Sequence, residues 1–95
     1  MQRKLLEHTK APELKGYKDI CTGVQIIAEN EYAIEDAMGL YHEIKERNNR
    51  RSDSSVERNI RHAKQYFKDK TIRKLPNIRF LYTVYLKYIK NEDEE

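Results

Sequence analysis

Residues 54 to 68 read Ser54-Ser55-Val56-Glu57-Arg58-Asn59-Ile60-Arg61-His62-Ala63-Lys64-Gln65-Tyr66-Phe67-Lys68, and the periodicity of this stretch decides the fold class. At about 100° per residue, Val56, Ile60, Ala63 and Phe67 fall within about 40° of one line, as the buried stripe of an amphipathic helix does. Ser54, Arg58, Arg61 and Gln65 project from the opposite side. Asp53 or Ser54 offers an N-cap, and Ser54 with Glu57 three residues on fits a capping box, which would satisfy the first N–H groups of the helix. Upstream, Asn48-Asn49-Arg50-Arg51-Ser52-Asp53 holds no apolar residue and reads as a turn. Before that turn, Ile34, Ala37, Met38, Tyr41 and Ile44 again keep a helical period. A helix, a short polar turn and an amphipathic helix with outward arginines make the outline of a helix-turn-helix.

Toward the N-terminus, Leu5-Leu6 belongs to a short helix ending near His8. Pro12 suits the first turn of a second helix, where its missing N–H costs nothing. That helix carries Leu14, Tyr17, Ile20, Cys21, Val24, Ile27 and Ala28 on one stripe and ends at Asn30. Its Gly16 and Gly23 each cost about 1 kcal/mol of helix propensity, so close approach of another backbone is expected there. Gly39 marks a candidate joint between two shorter helices. Toward the C-terminus, Lys70 to Pro76 reads as a basic connector. The segment Phe80 to Tyr85 has strand propensity. Yet Ile78, Leu81, Val84, Tyr85 and Tyr88 form a helical stripe, and no second strand exists to pair with it. A helix over residues 78–89 is therefore expected, with apolar residues on more than one face for burial or association. The expected fold is all-α, a compact bundle of about five to six helices containing a helix-turn-helix. Residues 1–90 would form one domain and residues 91–95 a solvated acidic tail.

Ninety-five residues suffice for one domain and not for two. A single cysteine, Cys21, excludes an internal disulfide. With no signal-peptide pattern and no run near the roughly 20 apolar residues of a membrane span, a cytoplasmic, nucleoid-associated protein is expected. The net charge is only +3, but its distribution is uneven. From Lys45 to Lys74 eleven cations face four acids, a net +7 that leaves −4 for the rest of the chain. A basic middle fits one polyanion-binding face; a solvated helix surface rich in lysine is the alternative.

A major groove admits one helix, and side chains on one of its faces reach the base edges. Ser54, Glu57, Arg58, Arg61 and Gln65, with Ser55 among them, are the candidate base-reading residues: arginine forks onto guanine, and glutamate accepts from the cytosine amino group. Arg50, Arg51, His62, Lys64 and Lys68 are candidates for phosphates. Equally, Glu57 and Arg61 could be an i, i+4 surface pair contributing about 0.3–0.5 kcal/mol. His8, His42 and His62 lack metal-site spacing. Cys21 lies on an apolar stripe, and the acidic tail has no fixed geometry for proton transfer. No catalytic residue, cofactor, metal or small-molecule substrate is expected. Tyr82, Tyr85 and Tyr88 fit core or dimer-contact positions better than a stacking platform for single-stranded nucleic acid.

The chain resembles the C-terminal DNA-binding effector domain of the stage-zero sporulation master response regulators. Leu5-Leu6 followed by Ala11-Pro12-Glu13-Leu14-Lys15-Gly16-Tyr17 is similar to that domain's opening. Leu40-Tyr41 with Ile44-Lys45 and Asn49 is similar to its first helix-turn-helix helix, and Val56-Glu57-Arg58-Asn59-Ile60-Arg61-His62-Ala63 to its recognition helix. The likeness covers about residues 5 to 67, with a weaker return at Lys74 to Ile89. It implies about six helices, binding to DNA as tandem copies, and base contacts through Glu57, Arg58 and Arg61. Departures accompany it. Ser55 stands where the family has an arginine, His42 where it has a proline, the turn is one residue longer, and the segment before the last helix is shorter. No receiver domain is read, so switching by aspartyl phosphate in cis is not expected. The reading is a sequence-specific double-stranded DNA-binding protein, a transcription regulator related to sporulation control that uses the helix around residues 54–68. Its rival is an interaction module that pairs with itself, or with a full-length regulator, through the 78–89 helix and does not read DNA.

Overall fold

The computed structural model describes residues 2–90, and every regular element among them is helical. Six α-helices follow in order: α1 Gln2–Leu5, α2 Lys15–Glu29, α3 Ala37–Asn48, α4 Asp53–Ala63, α5 Lys70–Arg73 and α6 Asn77–Val84. Short 3-10 turns at Leu6–His8, Glu31–Glu35 and Lys64–Tyr66 join or extend them, and α6 passes into a π-helical segment, Tyr85–Lys90.

The long α2 is the spine. Its Ile20, Val24 and Ile27 are fully buried against Ile44 of α3, Val56 and Ile60 of α4, and Phe80, Leu81 and Val84 of α6. One apolar cluster runs from Leu5 to Ile89, and within it the Phe67 and Phe80 rings meet edge to face at 5.0 Å. Gly16 is the closest point of helix crossing. A Cβ there would lie 2.0 Å from the Asn59 carbonyl oxygen, so α4 is seated directly on the α2 backbone. Gly23 instead makes room for side chains, those of Leu81 and Ile44.

An all-helical fold with the last segment helical agrees with the expectation; other details differ. Pro12 lies in a turn ahead of α2, which begins at Lys15, because Ala11 to Leu14 first closes its own turn through Leu14 N to Ala11 O. No joint occurs at Gly39. The break falls at Asp36, whose carboxylate caps α3 by accepting from Gly39 N at 2.9 Å; a Cβ on Gly39 would meet that carboxylate at 2.3 Å. The basic connector contains α5, a single turn capped by Asp69 and anchored by buried Ile72. Residues 91–95, expected as an acidic tail, lie outside the described residues.

The expected 54–68 helix is both displaced and shorter. It starts at Asp53, because Ser52 and not Ser54 is the cap: Ser52 Oγ accepts from Ser55 N at 3.1 Å, and Ser52 N donates to Ser55 Oγ at 3.3 Å. The capping box is thus Ser52 with Ser55, and Glu57 is free for another role. The α-helix ends at Ala63 because the chain beyond is pinned to the N-terminal segment. Lys10 N donates to Tyr66 O, Lys68 N donates to His8 O, and Thr9 forms a bridge with Phe67. Those long-range bonds hold Phe67 extended, at φ −67° and ψ 143°.

Candidate nucleic-acid interface

The two central helices are joined by Asn49, Arg50, Arg51 and Ser52. Asn49 occupies the left-handed region at φ 58°, a conformation asparagine tolerates at a helix end. Its N–H and that of Arg50 both donate to the Lys45 carbonyl, closing α3. Ser52 then opens α4. The turn is therefore specified at both ends by local hydrogen bonds.

A buried polar knot sets how these helices sit on α2. Asp19 of α2 has no solvent exposure. Its Oδ1 accepts from Asn48 Nδ2 at 2.8 Å and Arg50 Nε at 2.9 Å, and its Oδ2 accepts from Asn59 Nδ2 at 3.1 Å. Thr22 adds a bond to Asn48 Oδ1 at 3.0 Å. One carboxylate thus ties together α2, the end of α3, the turn and the middle of α4. A buried carboxylate is tolerable only when paired and hydrogen-bonded, and here the turn supplies the cation. Sequence reading missed Asp19, Asn48 and Asn59. The available signal was an acid beside Gly16, inside the arc of α2 that faces the core.

The sequence-derived candidates separate into three groups. Ser54, Arg58 and Arg61 are exposed, and at about 100° per residue they fall within about 60° of one another, opposite Val56, Ile60 and Ala63. Glu57 lies on the shoulder and meets Arg61 at 3.2 Å, an exposed i, i+4 pair. Such a pair contributes only a few tenths of a kcal/mol, so an incoming ligand can separate it cheaply. Arg51 and His62 are exposed beside this face, His62 lying edge-on to Tyr66.

The second group is committed to the protein itself. Arg50 is held by Asp19 and donates a further bond to Lys15 O at 3.2 Å; its side chain is 17% exposed. The Ser55 hydroxyl is engaged in the cap. Lys64 Nζ donates to the Leu75 carbonyl at 2.6 Å, and burial pulls its pKa below the ordinary lysine value. The third group lies past the end of α4: Gln65 in the 3-10 turn and Lys68 beyond it.

Part of the positive middle is likewise spent internally. Arg47 is clasped by Glu29 and Glu43, which lowers the pKa of Glu29, chiefly through the Arg47 hydrogen bond. His42, on an uninterrupted α3, has its ring nitrogens 3.3 Å from Asp53 and 3.5 Å from Glu46. What remains outward is the Ser54–Arg58–Arg61 face with Arg51 and His62 beside it and, past the end of α4, the exposed Lys68, Lys70 and Lys74. Among the described residues no group of His, Cys, Asp or Glu could hold a metal ion, and no helix is long and apolar enough to cross a membrane.

The family model described as Sporulation initiation factor Spo0A C terminal matches residues 3–94, nearly the whole chain. No curated protein and no solved structure matches the chain.

Proposed function

Because this chain belongs to the family of Spo0A C-terminal sporulation initiation factor domains, a family of DNA-binding effector domains of sporulation transcription, we propose that it reads specific sequences in double-stranded DNA with α4. The observation that carries this reading is the outward face of α4, where Ser54, Arg58 and Arg61 are exposed while Val56, Ile60 and Ala63 are buried. A major groove about 12 Å wide accepts one helix. In it, Arg58 and Arg61 would fork onto guanine acceptors, with Glu57 beside them accepting from a cytosine amino group. Arg51, His62 and Lys68 would neutralise phosphates and fix the register.

Two earlier candidates take different parts in this proposal. Arg50 would orient the turn through Asp19, leaving Arg51 as the phosphate ligand of the turn. Ser55 would set the start of the helix through its cap and leave base reading to its neighbours. Without the arginine that the family carries there, discrimination would fall by about 1–3 kcal/mol at one base pair.

The test is binding-site selection on random duplexes, followed by affinity measurements on the selected site and on unrelated DNA. Arg58→Ala and Arg61→Ala should each weaken the selected site by about 1–3 kcal/mol and narrow its margin over unrelated DNA. Unchanged affinity and unchanged preference in both variants would overturn the proposal. A stable dimer with no salt-dependent binding to any duplex would favour the interaction-module reading instead. Against that reading, Tyr85 is buried and Tyr82 and Tyr88 are half-buried in the chain's own fold.

A further inference from the structure

On the Glu57–Lys64 side of α4 lies a strap, Leu75 to Ile78, which links α5 to α6. It is fastened at two points: Lys64 Nζ donates to Leu75 O, and Asn77 Nδ2 donates to Glu57 O at 3.0 Å. Strap and helix share a cleft of about 360 Å³, lined among others by Tyr41, Arg61, Lys64 and Ile78. Lys74 immediately precedes the strap and Arg79 directly follows Ile78; both are exposed. From Lys70 to Arg79 the chain carries four cations and no acid. Asp69, which immediately precedes this run, is engaged by Lys87, and Glu57, which lines the cleft, by Arg61. Arg73, between Lys70 and Lys74, keeps a buried Nε with no hydrogen-bond partner. No side chain caps the first turn of α6.

These cations flank a strap that shares its cleft with Arg61, at the edge of the outward face of α4. A helix with its side chains is about 10–12 Å across and fills a major groove of similar width. Elements on its shoulders therefore come up against the sugar–phosphate backbones that border the groove. We propose that the α5–α6 corner, through Lys74 and Arg79, binds DNA backbone phosphates on the Lys64 side of α4, as a second anchoring shoulder. The inference rests on the reading of α4 as the groove-entering helix. In it Lys64 braces the strap to α4, and Lys74 and Arg79 at the two ends of the strap supply the exposed charge. Arg51 and His62 serve the other side, so that the helix is held between two phosphate rows. The partner is the phosphodiester backbone, which carries no sequence information.

The experiment measures duplex affinity of the full chain against salt concentration. Each neutralised phosphate contributes about 0.9 to the slope of log K on log salt. Lys74→Gln with Arg79→Gln should lower the slope by about 2 and weaken selected and unrelated duplexes by the same factor. The charge-retaining pair Lys74→Arg with Arg79→Lys should keep the native slope. Both residues are exposed, so the melting temperature should not move; should the double variant unfold, the single substitutions, each lowering the slope by about 1, replace it. An unchanged slope in the Gln variants, alongside weakened binding by Arg58→Ala, overturns the anchoring shoulder while the role of α4 stands. A loss confined to the selected sequence also overturns it, since phosphate contacts are blind to sequence. Absence of salt-dependent duplex binding by the native chain removes both readings together.

Discussion

Asp19 shows how much a single residue decides in this molecule. It is a carboxylate without solvent exposure, and three side chains from two other helices and the turn converge on it. Removing one partner of a buried ion pair strands the other, at a cost of about 3–5 kcal/mol. Asp19→Ala should therefore destabilise the domain by roughly that amount, measured by urea denaturation, and most of its DNA affinity should go with the folded population. Arg50→Gln tests the same knot from the turn. It should lower stability by the same measure yet leave the salt slope of duplex binding as in the native chain, because Arg50 is committed to Asp19 and Lys15. A slope reduced by about 1 would make Arg50 a phosphate ligand after all. Arg51→Gln should show the opposite pattern, a lower slope with stability unchanged.

At the scale of elements, α4 is positioned by its ends as much as by its buried stripe. Ser52 and Ser55 exchange hydrogen bonds at the start, and Asp53 places an acid in the first turn, where it complements the helix dipole. Ser52→Ala removes the cap acceptor and should cost about 1 kcal/mol, within the range of about 0.5–2 kcal/mol for lost N-caps; thermal unfolding of the purified chain reads it. If α4 reads DNA as proposed, DNA affinity should fall further than stability alone accounts for, because a frayed first turn releases Ser54 from the outward face. At the far end, α5 is anchored by its own cap. Asp69 accepts from Thr71 and meets Lys87 of the π-helical segment. The Lys87 hydrogen bond, helped by Thr71, holds the Asp69 pKa far below the ordinary carboxylate value. That contribution is complete above the unfolded carboxylate pKa and is lost as pH falls through the folded value.

The whole molecule divides its charge. Acids gather around the turn between α2 and α3, at Glu29, Glu31, Glu35 and Asp36; exposed cations stand on α4 and the α5–α6 corner, and also at Lys10, Lys15 and Lys18. Such asymmetry orients a protein toward a polyanion before contact. The core that joins the two regions is continuous, and Cys21 reports on it. Burial pushes its thiol up to about 11 from an ordinary 9.0. Two outcomes are expected. The thiol should resist an aromatic disulfide reagent at neutral pH until denaturant unfolds the chain. Stability should also decline between about pH 9 and 11, because the unfolded thiol ionises first while the folded one keeps its proton. Cys21→Ala should flatten that part of the profile, although burial raises the Tyr17 pKa as well and adds to the alkaline loss.

The sequence by itself determined that the longer segments are helical, the buried stripe of Val56, Ile60 and Ala63, and the outward Arg58 and Arg61. All of these follow from a local period of 3.6 residues. It also carried the family likeness, since the recognition-helix pattern is contiguous. Only the tertiary structure decided where α4 stops, which cations remain free, and what Asp19 is for. The partners in those decisions are far apart along the chain: Thr9 bonds Tyr66 across 57 positions, and Arg50 bonds Asp19 across 31. No local pattern encodes a partner at that distance.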